Sequence, residues 1–188
     1  MKEVFEMPQY VAQKGKAASP QVEAMGAALG PMISNIRAEE VRMVLKEYGV
    51  EDIDLQQWYP QQLLLDIFRA VEGQYGEFSE NLVAIGIQAI DAFAFPDSVT
   101  DIEAVIQFLQ GVYQMTHRNH PAEESWLCHK VGENAYDITA NMPYPDASSY
   151  GYLYGLARRF APKGMRASVS SPIQEEGKPT RFEVRFVG

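Results

Sequence analysis

The sequence predicts an α+β domain: four to five helices first, then a four-stranded antiparallel sheet built in ββαββ order. Three observations carry this. Up to about residue 117, apolar side chains recur at helical spacing. From Trp126 the period falls to two, over Trp126–Val131, Tyr136–Met142, Met165–Ser171 and Arg181–Val187. Between the second and third of these segments lies Asn141–Pro162, a turn with two prolines, a Tyr/Gly-rich helix start and the pair Arg158-Arg159.

Residues 1–18 lack periodicity and read as a flexible or extended arm, with Phe5, Tyr10 and Val11 available to dock on the body or on a second subunit. The remainder, 19–188, reads as one domain. Ser19-Pro20 resembles a helix start, with serine as N-cap and proline at the first helical position, and that helix ends near Gly30-Pro31. A second helix carries Ile33, Ile36, Val41, Val44, Leu45 and Tyr48, and Gly49 closes it. After the connector Val50–Trp58, a third helix from Pro60 aligns Leu63, Leu64, Ile67, Phe68 and Val71. A fourth starts at Ser79, where Gly86 permits close helix packing. The fifth, after Pro96, buries Ile102, Val105, Leu109, Val112 and Tyr113 and fades over His117–Pro121. Gly132-Glu133-Asn134 joins the first strand pair as a hairpin. The last helix covers Ser149–Phe160, where Gly151 and Gly155 fall one turn apart and predict close packing on the sheet.

Composition narrows the function. The chain has 188 residues, 46% hydrophobic and 22% charged, with a formal net charge of −9. That charge argues against a grip on nucleic acid or on an anionic membrane surface. No apolar run reaches the roughly 18–20 residues of a membrane span, and Lys14 and Lys16 interrupt any leader-like N-terminus. The single Cys128 excludes an internal disulfide and suits a reducing compartment. The expected location is cytoplasmic.

Several landmarks together resemble a known superfamily. They are Ile53-Asp54-Leu55-Gln56-Gln57-Trp58-Tyr59-Pro60, Gln107-Phe108-Leu109, Tyr150-Gly151-Tyr152-Leu153-Tyr154-Gly155-Leu156 and the strand Arg181–Phe186. With the element order, they are similar to the heme nitric-oxide/oxygen-binding (H-NOX) domains, the 4-vinyl-reductase-type ligand-binding domains and the lipid-pocket subunits of the TRAPP tethering complex. The likeness covers roughly residues 20–187. It implies a pocket between helices and sheet that takes a small apolar or porphyrin ligand, and a sensor or adaptor role without catalysis.

The resemblance also implies a test for heme: a histidine on iron and a Tyr-x-Ser-x-Arg motif for the carboxylates. The histidine position falls at about Thr116, with His117 one residue on, about 100° around a helix. Tyr144-Pro145-Asp146-Ala147-Ser148 stands where the motif belongs, without its serine or its arginine in register. His117-Arg118-Asn119-His120-Pro121 then reads first as a polar helix end that complements the macrodipole. His117 is a cofactor ligand only if heme is bound. The expectation is therefore no resident cofactor, with heme as the alternative occupant.

Other chemistry has little footing. Cys128 and His129 face opposite ways on a strand, so no metal site forms with His117 and His120. There is no Gly-x-Ser-x-Gly elbow, and Glu39-Glu40, Glu123-Glu124 and Glu175-Glu176 read as solvated surface pairs. The expected function is a non-catalytic small-molecule-binding or sensor domain with an internal apolar pocket. Its lining is expected from Trp58, Phe68, Phe93, Leu109, Tyr113, Trp126, Tyr144, Tyr150 and Tyr154, with Arg158 as a cation for a ligand carboxylate. The alternatives are a heme-binding sensor of NO or O2 and a structural homo-oligomeric adaptor. Expected partners are a small apolar or aromatic ligand and a signalling protein or second copy of the chain.

Overall fold

In the computed structural model, which describes residues 9–28, 39–75 and 80–188, the predicted change of period appears as a change of layer. The elements in chain order are β1 (Glu23–Met25), α1 (Glu39–Glu47), β2 (Trp58–Pro60), α2 (Gln61–Tyr75), α3 (Glu80–Ala92), α4 (Ile102–Thr116) and β3 (His117–Arg118). There follow β4 (Ser125–Gly132), β5 (Ala135–Asn141), α5 (Asp146–Arg159), β6 (Arg166–Val169) and β7 (Thr180–Val187).

The larger sheet is antiparallel in the order β4-β5-β7-β6. Alternation sorts its faces: Tyr136, Ile138, Phe182, Val184 and Phe186 are buried, while Asp137, Arg181, Glu183 and Arg185 form a cross-strand ion-pair network on the wet face. The buried face meets Leu109, Leu153 and Leu156 of α4 and α5. A second core, around α1 and α2, holds Val41, Leu45, Leu63, Leu64, Ile67 and Phe68. Tyr144, between β5 and α5, packs against both cores.

A three-stranded sheet, β2-β1-β3, was not expected. β1 lies where the first helix was predicted. Ser19 opens a turn instead, its carbonyl accepting from the Val22 amide and its Oγ from the Gln21 amide. A Ser-Pro pair serves a turn as readily as a helix start. Ile33 and Ile36, assigned to the second helix, lie outside the described residues. The last helix begins at Asp146, three residues earlier than expected, with Pro145 preceding it in an extended conformation. Gly151 and Gly155 pack on α3 rather than on the sheet: a Cβ on Gly151 would lie 2.1 Å from the Val83 carbonyl oxygen, and one on Gly155 would lie 3.1 Å from Ile90 Cβ. Among the described residues no helix is long and apolar enough to cross a membrane.

The arm is docked where it is described. The Ala12 amide donates to Asn141 Oδ1 (2.9 Å), Asn141 Nδ2 donates to the Tyr10 carbonyl (2.9 Å) and the Gly15 amide to the Pro143 carbonyl (2.8 Å). Lys14 Nζ reaches the carbonyls of Met142 and Tyr144 and pairs with Asp146 at 2.8 Å. The Ala17 amide donates to Gln62 Oε1 (3.0 Å). Phe5 lies outside the described residues.

Candidate functional site

α4 starts cleanly because Asp101 caps it, accepting from the Ala104 amide, with Glu103 in the first turn. It stops at Thr116, whose hydroxyl bonds back to the Val112 carbonyl, and His117 follows in extended conformation (φ −132°, ψ 151°) as the first residue of β3. The helical rotation that separates positions 116 and 117 therefore no longer applies. The backbone break turns His117 inward, and both Thr116 and His117 line one cavity.

That cavity lies between the two cores. Leu64 and Phe68 of α2, Ala89 of α3, Phe93 beyond it, Val112 and Tyr113 of α4 and Trp126 of β4 supply most of its wall. Met142, Tyr144, Ser148, Ser149 and Tyr152 close the side toward α5, and Ala27 and Ala28 complete it. Its volume is about 140 Å3. That matches the ~150 Å3 cavity that admits a benzene ring.

His117 is a titratable group in this wall that burial strongly alters. It is 6% exposed and stacked on Tyr113, the ring centroids 3.9 Å apart. Burial lowers its pKa to about 3, against the opposing pull of the Tyr113 carbonyl, so the ring is neutral at pH 7. Nδ1 faces the Tyr113 carbonyl (3.2 Å) and the Thr116 hydroxyl (3.0 Å). The Thr116 proton is committed to Val112, so both neighbours act as acceptors and Nδ1 carries the proton. Nε2 then has a free lone pair, and the Tyr144 hydroxyl donates to it in a short hydrogen bond.

The hydrogen bonds continue inward. Gln61, fully buried, donates through Nε2 to the hydroxyls of Tyr113 (2.8 Å) and Tyr144 (3.4 Å). Tyr113 donates to Glu124 Oε2 (2.7 Å), and Tyr10 of the arm donates to Oε1 (2.9 Å). Burial raises the pKa of Tyr113, Tyr144 and Tyr10 above the ordinary tyrosine range, keeping all three protonated donors.

Of the residues expected at the site, the structure brings Phe68, Phe93, Tyr113, His117, Trp126 and Tyr144 together. Five stand elsewhere. Trp58 lies under the Arg118 guanidinium, 4.5 Å from the ring centroid. Leu109 is in the sheet-side core. Tyr150 and Tyr154 stack on each other at 6.2 Å. Arg158 is paired with Asp91 (2.9 Å) at the surface, so it is no ligand cation. His117 corrects the helix-end reading as well, because a buried neutral imidazole complements no dipole. Glu124 corrects the surface reading of Glu123-Glu124: adjacent glutamates do diverge, and the second is 0% exposed. Gln61 and Tyr152 were not anticipated. Gln61 opens a helix, where a polar residue ordinarily faces solvent, so no local pattern marks it.

Cys128 sits against the sheet-side core while His129 is exposed, and no His/Cys/Asp/Glu cluster suited to a metal occurs among the described residues. Burial pushes the Cys128 thiol up to about 12 and the Tyr152 hydroxyl likewise. Folded-state pKa values raised in this way contribute stability below the unfolded values of about 9 and 10 that is lost as pH rises toward 12. Chemical denaturation is accordingly expected to show falling stability above pH 9. Iodoacetamide at pH 8 should leave Cys128 unmodified in the folded chain and alkylate it in urea; labelling of the folded chain at the unfolded rate would refute the burial.

No family model matches the chain, and no curated protein matches it. Solved structures do. A Cs H-NOX mutant with 4-cyano-L-phenylalanine at site 5 superposes with a TM-score of 0.62 at 16% identity, over 87% of this chain and 97% of that chain. An oxygen-binding H-NOX domain related to soluble guanylate cyclases gives 0.61 at 15% identity, over 87% and 93%. The fold is that of the H-NOX domains. A further H-NOX structure, from work probing heme distortion in that family, gives 0.58 at 18% identity, over 86% and 93%. These likenesses correct the expectation of no resident cofactor with heme only as the alternative: the proteins with this fold include domains described by their heme and by bound oxygen.

The residues present match heme in donor and in wall polarity, but the cavity, at about 140 Å3, is the size of one small ring. A neutral histidine with its Nδ1 proton held by a carbonyl and its Nε2 lone pair facing the Tyr144 hydroxyl in the cavity wall is the kind of donor iron requires. The wall around it is largely apolar, as a macrocycle requires. Carboxylates find no lysine or arginine among the described lining residues. Where the resemblance implies a clamp, Tyr144 is on His117, Asp146 pairs with Lys14 and accepts from Gln174 and Thr180, and Ser148 Oγ donates to the Pro145 carbonyl.

Proposed function

We propose that this chain is a heme-holding sensor domain of the H-NOX fold, with His117 Nε2 as the iron ligand. The observation that carries the reading is the orientation of His117: Nδ1–H is spent on the Tyr113 carbonyl, and Nε2 presents its lone pair to the Tyr144 hydroxyl in the wall of an apolar cavity. The heme and oxygen named for the structural neighbours support it. Heme held by His117 would supply an iron able to take a diatomic gas. The chain's own part is to keep the imidazole neutral by burial, to fix its plane by stacking on Tyr113 and to exclude water with Phe68, Phe93 and Trp126. The receiver of the signal is a partner protein or a second copy of the chain.

The test is hemin titration of the purified protein. A saturable Soret shift at one hemin per chain is expected, lost in His117→Ala. In His117→Gly, added imidazole should restore the ligated spectrum. Absence of any Soret shift at micromolar hemin, or a wild-type spectrum from His117→Ala, would end this reading.

A further inference from the structure

We infer that Tyr144 decides what His117 Nε2 can hold, and that the strap of residues 10–17 sets how firmly Tyr144 stays in place. The inference rests on the reading of His117 as the ligand atom. With Nδ1 protonated, Nε2 has a single lone pair, and the Tyr144 O–H occupies it. Any incoming metal or hydrogen-bond donor must displace that hydroxyl. The cavity beside it, about 140 Å3, holds one small ring, so admitting a porphyrin also requires the Tyr144 ring to leave.

Tyr144 is fixed at both ends. Its hydroxyl receives the Gln61 amide, and its ring packs on Phe68 with centroids 5.9 Å apart. Its main chain is held from the strap: Lys14 Nζ bonds the Tyr144 carbonyl (3.0 Å), the Met142 carbonyl (3.1 Å) and Asp146 (2.8 Å), and the Gly15 amide bonds the Pro143 carbonyl. The polar contacts of Lys14 go to Met142, Tyr144 and Asp146 rather than to His117. Lys14 is a positioning residue that acts through Tyr144. Asp146 and Ser148, which stand where the resemblance implies a ligand clamp, bond to the protein itself. The segment is built to hold the closed state.

Linkage makes the coupling reciprocal. Whatever the strap contributes to the closed position of Tyr144 is subtracted from the affinity of a ligand on Nε2, and a bound ligand loosens the strap. Occupancy of a buried cavity is thereby transmitted to the strap, where Val11, Gln13, Lys14 and Lys16 are exposed.

The experiment uses the full chain with hemin as probe. Tyr144→Phe keeps the ring and removes the donor, and it is expected to bind hemin about tenfold more tightly, the worth of one hydrogen bond. Lys14→Ala should tighten binding about threefold and Lys14→Arg should restore the wild-type value, a pattern that loss of structure does not produce. Hemin should speed hydrogen exchange at the Ala12, Gly15 and Ala17 amides. Weaker or unchanged affinity in Tyr144→Phe, or a full Soret shift with unaltered exchange in the strap, overturns the inference while leaving heme binding intact. Absence of a Soret shift in the wild type removes the heme reading and this inference with it.

Discussion

Gly86→Ala and Gly151→Ala are each expected to lower the unfolding free energy by about 3 kcal/mol or more, a large share of the 5–15 kcal/mol typical of a domain. A Cβ on Gly86 would lie 2.3 Å from the Ser148 carbonyl oxygen and 2.5 Å from the Tyr152 amide nitrogen. One on Gly151 would lie 2.1 Å from the Val83 carbonyl oxygen. These neighbours are backbone atoms of the opposing helix, so no rotamer relieves the clash; α3 and α5 must separate. Both helices also line the cavity, through Ala89 on one side and Ser148, Ser149 and Tyr152 on the other. The same substitutions should therefore weaken ligand binding. Gly111→Ala in α4 is the control. Nothing lies within 4 Å of its added Cβ, and it is expected to stabilise by about 0.5–1 kcal/mol through helix propensity. Urea titrations of the three variants decide it: equal stabilities for Gly86→Ala, Gly151→Ala and the wild type would refute the contact.

The fold was legible wherever a period had room to repeat. Phe182, Val184 and Phe186 alternate along the eight residues of β7, and Leu63, Leu64, Ile67 and Phe68 turn the helical stripe of α2 inward. Strands of two or three residues have no period to read. Glu23–Met25, Trp58–Pro60 and His117–Arg118 become a sheet only by pairing with one another across the chain, Glu23 with both Pro60 and Arg118. That unseen sheet also decides the site. β3 ends α4 one residue before His117, and a count around an unbroken helix places that side chain on the wrong face. The aromatic wall was readable from apolar residues near the expected pocket, whereas the polar pathway behind it was not. Tyr10, Gln61, Glu124 and Asn141 come from four separate segments, and their hydrogen bonds span between 52 and 131 positions in several cases.

Glu124→Ala is expected to cost about 3–5 kcal/mol, because it removes the acceptor of the buried Tyr113 hydroxyl at 2.7 Å and of the half-buried Tyr10 hydroxyl at 2.9 Å. Hydrogen bonds to a carboxylate contribute about 1.5–3 kcal/mol each, and the abandoned donors add their desolvation. Glu124→Gln preserves volume yet offers an N–H to a hydroxyl that already donates, so a smaller loss of about 1–3 kcal/mol is expected. The informative comparison is a cycle with Tyr113→Phe, since partners in one hydrogen bond are strongly non-additive. If the bond is as drawn, Glu124→Leu combined with Tyr113→Phe and Tyr10→Phe should recover most of the stability lost in Glu124→Ala, because no buried donor then lacks an acceptor. Strict additivity of the Glu124 and Tyr113 substitutions would contradict the network. The cavity should report the change too. Tyr113 stacks on His117 and presents the carbonyl that fixes Nδ1, so freeing its hydroxyl end loosens the imidazole. Glu124→Gln is then expected to broaden the Soret band of the hemin complex while His117 remains in place.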